Sequence, residues 1–135
     1  MNVMSLRVPL ALLALVVCLS CHAQEEIPDL APFAGTYQGV VLNGYQLEPI
    51  TTTFRLAAGG RLTGEYLIED SEEGSKPGSL SNVYLEAPGT LTLEWTDKDG
   101  EGYARLVFSS DYRRFDGFWG TPDSEADNPW TGTRE

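Results

Sequence analysis

From Gln24 to its last residue, Glu135, the chain contains no cysteine and no histidine. Without thiols this segment cannot be held by a disulfide, ligate zinc through sulfur or attack as a thiolate. Without imidazole it cannot run Ser-His-Asp chemistry or supply histidine metal ligands. Positive charge is also scarce, with 8 Lys and Arg against 20 Asp and Glu over the same segment, a formal net charge of −12. Such a chain is repelled by nucleic acid and by anionic membrane surfaces, so neither is expected as a partner. The acidity suits solubility or a basic protein partner.

Long hydrophobic runs are missing too, apart from Leu10 to Leu19. That run follows Arg7 and leads into "CHAQ", the layout of a secretory signal peptide cleaved after Ala23. It falls short of the roughly 20 apolar residues that span a bilayer. The expectation is a signal peptide over residues 1–23, an N-terminal arm or tether over 24–32, and one barrel domain over 33–135. The protein is then periplasmic or secreted. The alternative is a lipoprotein anchored through Cys21, since Ser20-Cys21 follows the apolar core as a lipid-attachment cysteine would.

Helical periodicity is absent, and turn signals recur every 8 to 15 residues. Between them lie short alternating segments, which favour an all-β barrel or sandwich. "GTYQGVVL" ends at Asn43-Gly44, a pair suited to a tight turn. "TTTFRL" places Thr52, Phe54 and Leu56 on one face, and "RLTGEYLI" places Leu62, Gly64, Tyr66 and Ile68 together. "EDSEEGSKPGS" reads as a polar loop that includes Lys76, and Lys98 falls in another. "LSNVYLEA" follows as a strand with apolar groups on both faces. "GTLTLEW" turns Leu91, Leu93 and Trp95 inward, "YARLVFSS" turns Ala104, Leu106 and Phe108 inward, and "RRFDGFWG" and "PWTGTR" complete the series.

The predicted architecture is an eight-stranded antiparallel up-and-down barrel, with a flattened β-sandwich as the alternative. "GGRLTGEY", "PGTLTLEW" and "YRRFDGFW" each set a large apolar residue four before an aromatic, and two of them carry an inward glycine, Gly64 or Gly117. Inward glycines allow the bends that closure needs.

Gly35, Tyr37 and Arg134 give the first and last strands the look of the calycin barrels, the lipocalins, fatty-acid-binding proteins and avidins. In that group a G-x-W motif on the first strand packs beneath a cation from the last. The resemblance implies that Tyr37 stands for the tryptophan and that Arg134 closes the barrel over it. "FRLAAGGRLTGEY" is similar to an avidin hairpin, although "YQGVVLNG" does not match the Asn and Ser pattern that holds biotin.

Tyr66, Trp95 and Trp119 end three inward rows and are the candidate ligand-binding residues. Two readings stay open for them. They line a pocket for an apolar or ring-shaped ligand, or they fill the core, where each such ring buries about 150 to 250 Å². Asp97 to Glu101 and Asp123 to Asn128 carry alternating carboxylates, but neither matches a calcium-binding loop and both suit solvated turns. No metal, cofactor or catalytic residue is assigned. The functional expectation is an exported, non-enzymatic binding protein with a small ligand in the barrel mouth or recognition through its loops. One alternative is an acidic binder or inhibitor of a basic exported hydrolase or toxin, and another is a carboxylate-based glycan hydrolase.

Overall fold

Alternation with period two dictates the strands, and a computed structural model describes residues 27–135. The expected signal peptide, Cys21 and the first three residues of the expected arm, 24–26, lie outside the described residues. Eight strands follow in chain order: β1 (Gly35–Asn43), β2 (Gln46–Leu56), β3 (Leu62–Asp70), β4 (Gly74–Ala87), β5 (Thr90–Asp97), β6 (Gly100–Phe108), β7 (Arg114–Gly120) and β8 (Asn128–Arg134). Each pairs antiparallel with the next, and β8 pairs with β1 through Val41↔Trp130, Gln38↔Thr133 and Tyr37↔Arg134, so the sheet closes into an up-and-down barrel. Closure leaves no unpaired edge. Among the described residues no helix is long and apolar enough to cross a membrane.

Apolar side chains fill the inside, while ion pairs such as Arg55–Glu65 and Arg105–Glu86 lie on the outside. One end is plugged. A 3₁₀ turn, Ala31–Phe33, precedes β1, and the Phe33 ring meets Phe108 at 4.9 Å and Tyr112 at 5.0 Å in edge-to-face geometry. Tyr37 meets Phe115 at 5.4 Å below them. Each such ring pair adds about 0.5 to 1.5 kcal/mol beyond its buried area. Leu30, assigned to the tether from the sequence, is 8% exposed and belongs to this core.

Two strands extend beyond their expected limits. β2 starts at Gln46 instead of Thr51, and β4 starts at Gly74, so it absorbs "SKPGS" from what reads as a loop. Lys76 therefore sits on a strand and faces inward at 6% exposure, which corrects its assignment to a polar loop. Leu56, expected to point in with Thr52 and Phe54, is instead exposed at the end of β2. The register explains why proline is tolerated in these strands. Pro49 pairs with Val40 but β3 joins only from Ile50, Pro77 pairs with Leu67 but β5 joins only from Gly78, and Pro129 pairs with Phe118 alone. Each proline lies where one neighbouring strand has run out, so its missing N–H interrupts no ladder.

The two apolar faces of "LSNVYLEA" come from a β-bulge. The β4–β5 register shifts between Ser81 and Tyr84, and Asn82 takes φ 48° there. Lys76, Gly78 and Leu80 point in before the shift, whereas Val83 and Leu85 are the half-buried residues after it. An extra residue in one strand reverses its alternation.

Candidate functional site

At the end opposite the plug, β1, β3, β5 and β7 finish and β2, β4, β6 and β8 begin. The connections there are Gly44-Tyr45, Ser71 to Glu73, Lys98-Asp99 and Thr121 to Asp127. Gly44 takes φ 70°, the mirror-image region that a two-residue hairpin turn requires. Asp70 and Asp97 fold back on their own loops. The Asp70 Oδ1 accepts from the Glu72 and Glu73 amides at 2.8 and 2.9 Å, and the Asp97 Oδ1 accepts from the Asp99 amide at 2.8 Å. These local bonds are what Asp supplies in turns.

Inside this mouth is a cavity of about 340 Å³. Its apolar wall includes Val41, Ile50, Ile68, Tyr66 and the tryptophans Trp95, Trp119 and Trp130, and its polar groups include Asn43, Lys76, Asp97 and Asp99. Tyr66, Trp95 and Trp119, named from the sequence, thus meet at one mouth. Trp95 and Trp119 stack edge to face at 5.3 Å, and Tyr66 meets Trp130 at 5.4 Å. Sequence reasoning missed Trp130 and Lys76. Trp130 stands at the start of the predicted strand "PWTGTR", whose row continues with Gly132 and Arg134 and so shows no apolar face, and Lys76 lies among glycines and a proline that read as a loop.

The rings sit where they do because glycine faces them. A Cβ on Gly78 would overlap the Tyr66 ring, and one on Gly102 would overlap the Gly120 carbonyl and lie 2.7 Å from the Trp95 ring. Every indole N–H is spent on the protein: Trp95 on the Gly120 carbonyl at 3.2 Å, Trp119 on Leu42 at 3.1 Å, and Trp130 on the Thr52 hydroxyl at 3.0 Å. The Tyr66 hydroxyl donates to Asp97 Oδ2 at 2.7 Å. Lys76 Nζ donates to Asn43 Oδ1 and to Asp99 Oδ2, each at 3.0 Å.

A second cavity of about 270 Å³ adjoins the first across Asn43, Gly44, Lys76 and Asp99. Its other walls include Glu48, Asp70, Glu72 and Glu73. Glu48 is 6% exposed and accepts from the Ser71 hydroxyl at 2.8 Å. Asn43 Nδ2 reaches Asp70 Oδ2 at 2.6 Å. Among the described residues no three His, Cys, Asp or Glu side chains converge as a metal site. Asp123, Glu125 and Asp127 sit in the β7–β8 loop at this same end.

Gly35, Tyr37 and Arg134 lie together at the plugged end. The Arg134 guanidinium carbon is 5.0 Å from the centre of the Tyr37 ring. Its nitrogens donate to the carbonyls of Pro32 at 2.7 Å, Ala34 at 2.8 Å and Tyr112 at 3.1 Å, and to the Tyr37 hydroxyl at 2.6 Å. Gly35 holds φ 152°, and a Cβ there would lie 2.8 Å from Arg134 Nη1.

Burial, the nearby Asp97 and the hydrogen bond to it hold the Tyr66 hydroxyl far above the usual tyrosine range. Burial also raises Tyr37, against the opposing pull of Arg134. A proton held more tightly in the folded state gives stability that is complete below the unfolded pKa of 10.0 and is lost as pH rises past it. Unfolding free energy, measured in urea from about pH 9 to pH 12, is expected to fall with a slope of at most about 1.4 kcal/mol per pH unit for each tyrosine. Tyr66→Phe should remove one tyrosine's share, and an unchanged slope would contradict this account.

Comparison of the chain with protein families, with curated proteins and with solved structures returns no match.

Proposed function

We propose that this is an exported, non-enzymatic binding protein of calycin type that takes a small apolar or ring-shaped ligand into its open mouth. The observation that carries the reading is the cavity of about 340 Å³ walled by four aromatic rings at one end of a barrel plugged at the other. Ligand pockets run from about 300 to 1,000 Å³ and are mainly apolar with a few placed polar groups. The calycin assignment is supported by Arg134 lying over Tyr37 beside Gly35, the arrangement the resemblance implies.

All three tryptophans of the chain line the cavity, so intrinsic fluorescence reports on it without a label. Titration with a panel of small ring compounds is expected to give a saturable change in emission, and native mass spectrometry of freshly purified protein a bound small molecule. A panel without response, together with an empty mass spectrum, would remove the support for this reading.

The acidic walls of the second cavity favour one further reading, capture of a basic exported protein at the mouth. Pull-down from an envelope extract would then enrich basic proteins and release them at high salt. Salt-resistant or empty eluates would refute it.

A further inference from the structure

Resting on the small-ligand reading, we infer that the ligand is an organic cation, an ammonium or amidinium carried on an apolar ring, with its charge directed at Asp97. The hydrogen-bonding inventory of the cavity leads there. Few donors on its wall are left: all three indole N–H groups, the Tyr66 hydroxyl and one of the two Asn43 amide hydrogens are bound to the protein. Lys76 has used two of its N–H groups on Asn43 and Asp99, which leaves one of its three.

Acceptor capacity remains. A carboxylate offers about four lone-pair positions, and Asp97 uses two, for Tyr66 and for the Asp99 amide. Lys76 is paired with Asp99. No lysine or arginine among the described residues pairs with Asp97. A ligand that fits this wall must therefore bring donors and positive charge.

The surroundings select for the same sign. Six carboxylates and one ammonium line the two adjoining cavities. Such a mouth concentrates cations and repels anions before contact. The tryptophan N–H groups point into the protein, so what these residues offer a ligand is their rings, and aromatic faces attract cations by about 0.5 to 2 kcal/mol each. Lys76 carries the only opposing charge on the wall, and Asp99 neutralises it at 3.0 Å.

The test uses three ligands of like size on the intact protein, by calorimetry and tryptophan emission: phenethylammonium, 2-phenylethanol and 3-phenylpropanoate. The expected order is ammonium tightest, alcohol weaker, carboxylate weakest, with only the ammonium losing affinity as salt rises. Asp97→Asn should weaken the ammonium about tenfold or more and leave the alcohol within about twofold, since a charge-assisted bond is lost while the cavity persists. If the alcohol binds and the ammonium binds no better, the charge assignment falls and the cavity reading stands. If the carboxylate binds best, Lys76 governs recognition and the inference is overturned. If none of the three perturbs the tryptophans, the cation assignment is overturned, while the cavity reading is decided by the wider panel and the mass spectrum. The order of the three on unaltered protein decides the matter even if Asp97→Asn does not fold.

Discussion

Arg134→Ala is expected to lower the barrel's stability by about 3 kcal/mol, seen as a fall of roughly 15 °C in the melting midpoint. The guanidinium is the single group that ties the Ala31–Phe33 turn, the β6–β7 loop and β1 to the last strand, through Pro32, Ala34, Tyr112 and Tyr37. Each hydrogen bond to a charged group contributes about 1.5 to 3 kcal/mol, but part-exposed carbonyls regain water once the side chain is gone, so the four do not add in full. Lysine should restore less than half of the loss. An ammonium has three donors at a point, whereas these acceptors need the flat fork that also lies against the Tyr37 ring. The turn should loosen first, so hydrogen exchange at Phe33 and Ala34, whose amides bond to Leu30 and Ala31, should quicken more than exchange in β4. A loss below about 1 kcal/mol would show that ring packing alone plugs this end.

That end was the legible part of the molecule. Gly35, Tyr37 and Arg134 stand in strands whose order follows from alternation, and closure of a meander must bring its first and last strands together. Inward rows such as Leu91, Leu93 and Trp95 could be read directly, because period two leaves one choice of face. The mouth was less legible. Gly74, Pro77 and Gly78 around Lys76 carry every mark of a loop, yet Pro77 lies past the end of β5 and Gly78 makes room for Tyr66. Both residues are local breakers that tertiary context puts to use. Glu48 was hidden for a similar reason. It precedes Pro49 in the stretch between the predicted strands "GTYQGVVL" and "TTTFRL", although it faces inward two residues before Ile50. Where the ladders thin out and the sheet opens, local preference and final structure part company, and the residues with unspent charge collect there.

Trp130→Ala is expected to cost about 4 kcal/mol and to change what the cavity holds. Along β8 the inward positions run from Trp130 on the cavity wall to Gly132, whose added Cβ would meet Phe115 and Tyr37, and then to Arg134. Trp130 is therefore the partition between mouth and plug. It is 2% exposed, it packs edge to face on Tyr66, and its indole N–H satisfies the buried Thr52 hydroxyl at 3.0 Å. Alanine removes all three contributions together and leaves a void that the stiff sheet cannot close. Phenylalanine keeps a ring against Tyr66 and should recover most of the loss, leaving chiefly the cost of the unpaired hydroxyl, about 1 to 3 kcal/mol. Denaturant titration measures both. The deeper cavity should also shift ligand preference toward length, so that 4-phenylbutylammonium gains on phenethylammonium in the alanine variant compared with the unaltered protein. If stability falls while the length preference stays fixed, Trp130 supports the core without bounding the site, and the floor of the cavity lies higher, at the Trp95–Trp119 pair.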